Sequence, residues 1–226
     1  MTVKQLTILL AALMTSSGMA IADDAPSPPK YPFSWAPETL GEVKQGDVNR
    51  GKAVAKANKC KKCHGKTGIS DEDDTPSLAG QTAAYTYKQL IDYKYGARDD
   101  KSMKKATKKL STQDIADLGA FFATQEAEKK LGTKAPLLVT KGDKKRLLLG
   151  CDDCHNESVK TRKLIDIPAT LEGQKPQYLI DTLMAFKEGD RENDLHSRMR
   201  FIAERLTEKE IEEMAGYYGT KPIDDD

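Results

Sequence analysis

One short motif, which occurs twice and uses all four cysteines, constrains this 226-residue sequence more than any other feature. The two copies are Cys60-Lys61-Lys62-Cys63-His64 and Cys151-Asp152-Asp153-Cys154-His155. In each copy, two thiols lie three positions apart on one turn of backbone, and a histidine follows directly. This pattern is typical of c-type haem attachment, in which the thiols bond to the two vinyl groups and the imidazole binds the iron. The sequence therefore predicts two covalently attached haem c groups.

Structural zinc and disulfides are the alternative uses of such cysteines. A pair of Cys-x-x-Cys units can hold zinc, but a zinc site does not require a histidine directly after each second cysteine. Disulfides would suit an exported protein, yet they account for the cysteines and not for the histidines. Because the motifs use every cysteine and two of the three histidines, haem attachment is favoured. The candidate haem-binding and iron-binding residues are Cys60, Cys63, His64, Cys151, Cys154 and His155.

The sequence that follows each motif also repeats, which predicts two similar domains. The segment 76–81 corresponds to 169–174 at an offset of 93 residues, which Arg98 and Arg191 share. Past these two arginines the offset becomes 96, because the second copy carries three more residues there. Apolar residues at helical spacing, with little strand-like alternation, predict an all-α class. We expect helices over 48–58, 83–95, 112–123, 177–186 and 208–218, with Ser111 and Thr207 as N-caps.

The segments outside the repeats predict export and the domain limits. Residues 1–22 have the positive start, apolar centre and small-residue cleavage site of a signal peptide, so we expect a periplasmic protein. A retained membrane anchor is the alternative, but the apolar centre has about half of the ~20 residues that a span needs. No later stretch is apolar enough to cross a bilayer, so membrane contact is expected to be peripheral at most.

The remaining chain divides into four parts. A proline-rich strap over residues 23–45 is expected to lie extended on the folded surface, with a partner-binding motif as the alternative. We then expect domain 1 over residues 46–126, a linker over 127–141 that contains Gly132 and Pro136, and domain 2 over 142–226.

The ligand on the far side of each iron decides between electron transfer and catalysis, since an iron held by protein on both sides offers no open position. Met103 is the only methionine between the two motifs and is expected in the loop before the last helix, as a thioether ligand. In the second domain, Met199 corresponds to Met103 through the repeat, and His196 is the competing ligand. Met184 and Met214 are expected to pack in the core.

Taken together, these motifs resemble the dihaem class I cytochromes c of the cytochrome c-4 type. The matching segments are the Gly46-Asp47…Gly51-Lys52 lead-in, Leu78-Ala79-Gly80-Gln81 and the Gly96-Ala97-Arg98 turn. The resemblance covers residue 45 to the end and implies two tandem class I cytochrome c domains that carry electrons between respiratory or dehydrogenase partners. Its departures lie in the second domain, at Asn156, at Glu172 and in the longer loop.

Two other functions stay open beside a free electron carrier. The second unit resembles, more loosely, the dihaem cytochrome subunit of flavocytochrome c sulfide dehydrogenases, which implies an electron-accepting subunit. A dihaem enzyme would need an unusual or vacant axial position, and no cysteine remains outside the motifs to serve as an iron ligand. We therefore expect an electron carrier and not an enzyme.

Charge is distributed unevenly between the two halves. Residues 46–135 contain 18 basic and 12 acidic residues, a balance of +6, whereas residues 136–226 contain 15 and 19, a balance of −4. Five lysines surround Met103, and they predict that an acidic redox partner docks on the first domain. An ordinary solvated helix face is the alternative, and no nucleic-acid partner is expected. These lysines are Lys101, Lys104, Lys105, Lys108 and Lys109.

Overall fold

The computed structural model describes residues 37–128, 134–156 and 168–220. The predicted signal peptide, most of the predicted strap and the middle of the predicted linker lie outside the described residues. Within the described ranges the regular structure is helical, with isolated bridges and no strand, which confirms the all-α class. No helix in this part of the chain combines the length and apolar character that crossing a bilayer requires.

The helices follow the two repeats. They are α1 (Pro37–Lys44), α2 (Val48–Ala57), α3 (Lys61–His64), α4 (Ala83–Tyr95), α5 (Lys101–Thr107), α6 (Thr112–Ala123), α7 (Leu137–Lys141), α8 (Cys151–His155), α9 (Pro176–Glu188), α10 (Arg198–Ala203) and α11 (Glu208–Tyr218). A 3-10 turn, Leu195–Ser197, precedes α10. Helices α2, α4, α6, α9 and α11 lie where apolar periodicity predicts them.

The first domain is built around α6, which packs on both α2 and α4. Ile91, Ile115 and Leu118 fill the core between these helices. A Cβ on Gly51 would lie 2.0 Å from the backbone oxygen of Asp117, so only a glycine lets α2 approach α6 this closely. The Asp117 carboxylate also accepts two hydrogen bonds, of 2.8 and 2.9 Å, from the Arg50 guanidinium.

The second domain repeats this arrangement with α9 and α11. Helix α9 packs on α11 and α10, and the core contains Val139, Leu179 and Ile211. Ser111 and Thr207 are N-caps as predicted: each side chain accepts the N–H of an acidic residue three positions on, and that residue's carboxylate accepts the cap's own N–H. Reciprocal bonds of this kind satisfy backbone donors at the start of a helix that have no partner within it.

The predicted strap and linker are both helical where they join the domains, and in this respect the predictions were wrong. Pro37–Lys44 forms α1, which packs on α6 and α4. Proline is suited to the first position of a helix, because the N–H that it lacks would have no helical partner there. In the predicted linker, Leu137–Lys141 forms α7 and buries Val139 completely. The core of the second domain therefore begins before residue 142.

The two domains contact each other through polar side chains that the repeat relates. Arg98 donates to the hydroxyl of Tyr178 at 3.1 Å, and Arg191 donates to the hydroxyl of Tyr85 at 3.3 Å. Both arginines and both tyrosines are pairs at the 93-residue offset. The interface thus approximates a twofold arrangement, in which each domain offers the same residues to the other.

Glu210 makes the stability of the second domain depend on pH. A bidentate hydrogen bond from Arg146, with oxygen to nitrogen distances of 2.7 and 2.9 Å, lowers the pKa of Glu210 from 4.5 to about 2. We expect Glu210→Gln to lower the free energy of unfolding at neutral pH, where the wild-type carboxylate is charged in both the folded and the unfolded state. Because the folded-state pKa is depressed, this difference should shrink as pH falls from about 4.5 to about 2. Chemical denaturation across this pH range measures it, with the exposed Glu212→Gln as the control; a pH-independent difference would contradict it.

Candidate haem sites

The cysteines of each motif lie at or next to a one-turn helix. The first cysteine of each pair, Cys60 or Cys151, is half-buried and packs against the core of its own domain. Cys63 is exposed and Cys154 is half-buried, and none of the four forms a disulfide. Both pairs keep the spacing on one turn that two thioether bonds need.

The motif histidines are oriented in the same way in both domains. The Nδ1 atom of His64 lies 2.8 Å from the backbone oxygen of Pro76, and the Nδ1 atom of His155 lies 2.8 Å from that of Ala169. Pro76 and Ala169 are themselves related by the repeat. Because a carbonyl oxygen only accepts, Nδ1 carries the proton and Nε2 is the nitrogen that can bind iron.

Burial reinforces this arrangement at His64. The residue is 7% exposed, and burial lowers its pKa although the hydrogen bond to Pro76 acts in the opposite direction. A neutral imidazole with Nδ1 as the donor is the form that a metal-binding histidine needs.

The backbone leaves the two motifs differently. Gly65 has a φ of 72°, in the left-handed region, and a Cβ there would lie 1.7 Å from the oxygen of Ile69. Downstream, the hydroxyl of Ser70 donates to the backbone oxygen of Cys63 at 3.1 Å. In the second domain Asn156 takes the place of Gly65, with a φ of −79° that any residue adopts. The missing glycine that the sequence shows therefore corresponds to a different backbone conformation at residue 156.

Both candidate methionine ligands lie in the first turn of a short helix, whereas Met103 was predicted in a loop. Met103 is the third residue of α5 and is half-buried, and its N–H donates to the side chain of Asp100 at 2.7 Å. Met199 is the second residue of α10 and is also half-buried. An isolated helical turn gives little periodic signal in a sequence, which explains why these helices were missed.

His196 is exposed, whereas the other two methionines of the second domain belong to its core. His196 is exposed and has a φ of 58°, and Ser197 follows it at 53°, so two residues other than glycine adopt the left-handed conformation in succession. Met214 is buried in the core, and Met184 packs against it, which confirms both core predictions. The Met214 sulfur lies 3.3 Å from that of Cys151, so it also contacts the second motif.

Two interface arginines are functional candidates that the sequence analysis used only as repeat landmarks. Arg191 is 7% exposed, and its Nη1 is a buried donor without an acceptor among the described residues. A buried donor of this kind needs an anionic or carbonyl partner, and each haem carries two propionate carboxylates. Arg98, its repeat equivalent, also lies at the interface. The thiols, the oriented imidazoles and the unmatched Nη1 of Arg191 together fit haem c.

Fold and site together define a c-type cytochrome, which binds haem c covalently. The family model described as cytochrome c matches residues 48–126. Cytochrome c4 of Pseudomonas aeruginosa is 36% identical in an alignment of 182 positions that covers 76% of this chain and 87% of the relative. The chain belongs to the cytochrome c4 family of electron-transfer proteins, which confirms the resemblance seen in its motifs.

Two further comparisons agree with this assignment. The crystal structure of reduced recombinant cytochrome c4 from Pseudomonas stutzeri superposes with a TM-score of 0.69 at 30% identity, covering 77% of this chain and 98% of that one. A protein of Stutzerimonas stutzeri named thiosulfate dehydrogenase electron acceptor is 30% identical in an alignment of 179 positions that covers 75% of this chain and 82% of the relative. Similarity over this length extends beyond the first domain into the second.

Substituting glycines should separate backbone strain from steric overlap near the first motif. At Gly65→Ala a left-handed φ is combined with steric overlap on Ile69. At Gly189→Ala the φ is also left-handed, at 84°, but no atom lies within 4 Å of the new Cβ. Gly41→Ala has neither a left-handed φ nor an overlap. We expect Gly189→Ala to lower the free energy of unfolding by about 1 kcal/mol from strain alone. Gly65→Ala should lower it further and also reduce haem content, whereas Gly41→Ala should be neutral or slightly stabilising.

Thermal unfolding and the number of haems per chain, from absorbance of the pyridine haemochrome, measure these effects. Full haem content and normal stability in Gly65→Ala would show that the backbone after the first motif tolerates another path.

Proposed function

We propose that this chain carries electrons in the periplasm on two haem c groups, one attached at Cys60 and Cys63 and the other at Cys151 and Cys154. The observation that carries this proposal is the repeated histidine to carbonyl hydrogen bond, which prepares an equivalent iron ligand in each domain. The signal-peptide pattern of residues 1–22 supports export.

The proposed iron ligands are His64 and Met103 in the first domain and His155 and Met199 in the second. Half-burial at repeat-related positions supports both methionines. Exposure of His196 counts against it as the second ligand. A histidine and methionine pair raises a haem's reduction potential relative to other common ligand sets, which suits an electron carrier.

The chain's own residues would keep the coordination constant while an electron enters and leaves. When bound, haem supplies a one-electron couple between ferric and ferrous iron. The hydrogen bond from His64 to Pro76 fixes the imidazole, and the cap from Asp100 fixes the backbone of Met103. Side chains held in this way need little rearrangement when the charge changes, and they leave no coordination position for a substrate.

The lysine patch, defined as Lys101, Lys104, Lys105, Lys108 and Lys109, is the proposed docking surface for an acidic partner. All five lysines are exposed. Lys61 and Lys62, between the cysteines of the first motif, are exposed as well. In the second motif Asp152 and Asp153 occupy the same two positions, so the basic charge is specific to the first domain. A positive surface steers an acidic partner during encounter.

A second candidate function is that of an electron-accepting subunit of a dehydrogenase. The 30% identity to the thiosulfate dehydrogenase electron acceptor supports it, because that relative's name describes a protein that receives electrons from an enzyme. Purification from the native source separates the two roles: a free carrier is recovered alone, and a subunit is recovered with a dehydrogenase.

Removing each candidate distal ligand tests the coordination directly. We expect wild-type protein to hold two haems, to take up two electrons per chain, and to show for both irons the long-wavelength absorption band of ferric iron bound by methionine sulfur. Met199→Ala should abolish this band at the second iron and allow rapid carbon monoxide binding there in the ferrous state, since the far position becomes open. His196→Ala should change neither property. The reverse result, with His196→Ala opening the second iron, would contradict the assignment.

Charge reversal tests the lysine patch. We expect Lys105→Glu combined with Lys108→Glu to slow oxidation of the reduced protein by the anion ferricyanide by up to about tenfold at low ionic strength. The same variant should react faster with a cationic cobalt complex, and both differences should fade as salt increases. Lys52→Glu with Lys56→Glu makes the same change in net charge at exposed positions on α2. Equal effects from both double variants in stopped-flow kinetics would refute a localised docking surface.

A further inference from the structure

Two glutamines connect the domains by the same unusual contact. The side-chain oxygen of Gln174, in the second domain, accepts the backbone N–H of Ser77, in the first, at 2.8 Å. Its side-chain nitrogen donates to the backbone oxygen of Ser77 at 2.9 Å. Both atoms of the amide are therefore matched to one residue of the other domain, which fixes the orientation of the amide.

Gln81, the repeat-related glutamine, makes the equivalent contact in the opposite direction, from the first domain to the second. Gln81, in the first domain, accepts the N–H of Thr170 at 2.9 Å and donates to the oxygen of Thr170 at 3.1 Å. Gln81 and Gln174 are 7% and 8% exposed. Each also accepts the N–H of the residue that follows it, at 3.0 Å. The two bridges are thus equivalent in geometry, burial and partners.

Each bridge ends on the peptide group that orients a motif histidine. The carbonyl of Pro76 accepts from His64, and the N–H of the same peptide group belongs to Ser77 and donates to Gln174. In the other direction, the carbonyl of Ala169 accepts from His155, and the N–H of that peptide group, on Thr170, donates to Gln81. A peptide group that is hydrogen-bonded at both ends is polarised by both bonds, and each strengthens the other.

We propose that Gln174 and Gln81 are positioning residues that tune the haem of the opposite domain, Gln174 acting on the first haem through His64 and Gln81 on the second through His155. The inference rests on the proposed function, because it takes these two histidines as iron ligands. It goes beyond that function by making the reduction potential of each haem depend on a side chain of the other domain.

The direction of the effect follows from the hydrogen bonds. An acceptor on the N–H of Ser77 increases negative charge on the carbonyl oxygen of Pro76, which then accepts more strongly from His64. A histidine that donates a stronger hydrogen bond is a better electron donor to its metal, and this favours ferric iron. Loss of Gln174 should therefore raise the potential of the first haem, and loss of Gln81 should raise that of the second.

The experiment compares Gln174→Leu and Gln81→Leu, which keep side-chain volume and remove both polar atoms. The two potentials are measured by spectroelectrochemistry and assigned to domains by NMR of the haem methyl groups. We expect Gln174→Leu to shift the first haem to higher potential with a smaller change at the second, and Gln81→Leu to do the opposite. The Nδ1 protons of the ferrous protein give an independent readout: that of His64 should move only in Gln174→Leu, and that of His155 only in Gln81→Leu.

Two further variants keep the proposal testable if leucine prevents folding or loosens the interface. Gln174→Glu retains an acceptor for Ser77 and makes it anionic, so the first haem should shift to lower potential. Gln89→Ala removes a buried interface glutamine that accepts hydrogen bonds from Arg98, Arg191 and Asn193 but contacts neither histidine-bound peptide group. It should leave both Nδ1 protons unchanged.

The outcomes distinguish a failure of the proposed function from a failure of the tuning role of the glutamines. Wild-type protein with fewer than two haems, or with an iron not bound by a motif histidine, would overturn the proposed function. If wild-type protein holds two such haems, then shifts that are absent, equal at both haems or confined to the mutated domain would overturn the tuning role alone.

Discussion

The hydrogen bond from each motif histidine to a backbone carbonyl is the interaction on which the rest of the site depends. It determines which ring nitrogen carries the proton, and so which nitrogen can bind iron. In the first domain it also joins two segments, because His64 ends α3 and Pro76 lies twelve residues further along the chain. The turn at Gly65 and the hydroxyl of Ser70 hold the intervening loop in place. The haem-binding motif thus functions only as part of a folded loop, although its sequence signature is five residues long.

Much of the fold could be predicted because its main signals are local. Helices such as α4 and α6 have apolar residues at helical spacing, and Ser111 with Asp114 forms a recognisable cap. Local signals gave wrong predictions at two segments, where the local composition does not reflect the contacts made in the folded chain. Prolines near residue 37 indicated an extended strap, but Pro37 begins a helix, where its missing N–H has no consequence. Val139 was assigned to a linker because nothing in its neighbours shows that it belongs to the same core as Ile211, which is distant in sequence.

The proposed haem-binding residues could be selected from the sequence because one short motif contains most of them. The cysteines and histidines were selected by their spacing, and Met103 as the sole methionine between the motifs; their roles as haem and iron ligands stay predictions. The interface residues do not. Gln81 and Gln174 were visible as matching residues of the repeat, yet a repeated glutamine is equally compatible with a helix start, and each does accept the N–H of the residue after it. Only three-dimensional contacts show that each also reaches a peptide group in the other domain.

The three additional residues of the second domain make the two halves unequal. They lie in the loop before Met199, and Asn193 in that loop accepts from Lys88 through its backbone oxygen at 2.6 Å and donates to Gln89 at 3.0 Å. The first domain has no loop of the same length to return this contact. Two copies of either half could therefore not reproduce these contacts, since one domain supplies Asn193 and the other supplies Lys88 and Gln89. A tandem duplicate of identical halves would therefore lack the contacts that Asn193 makes with Lys88 and Gln89.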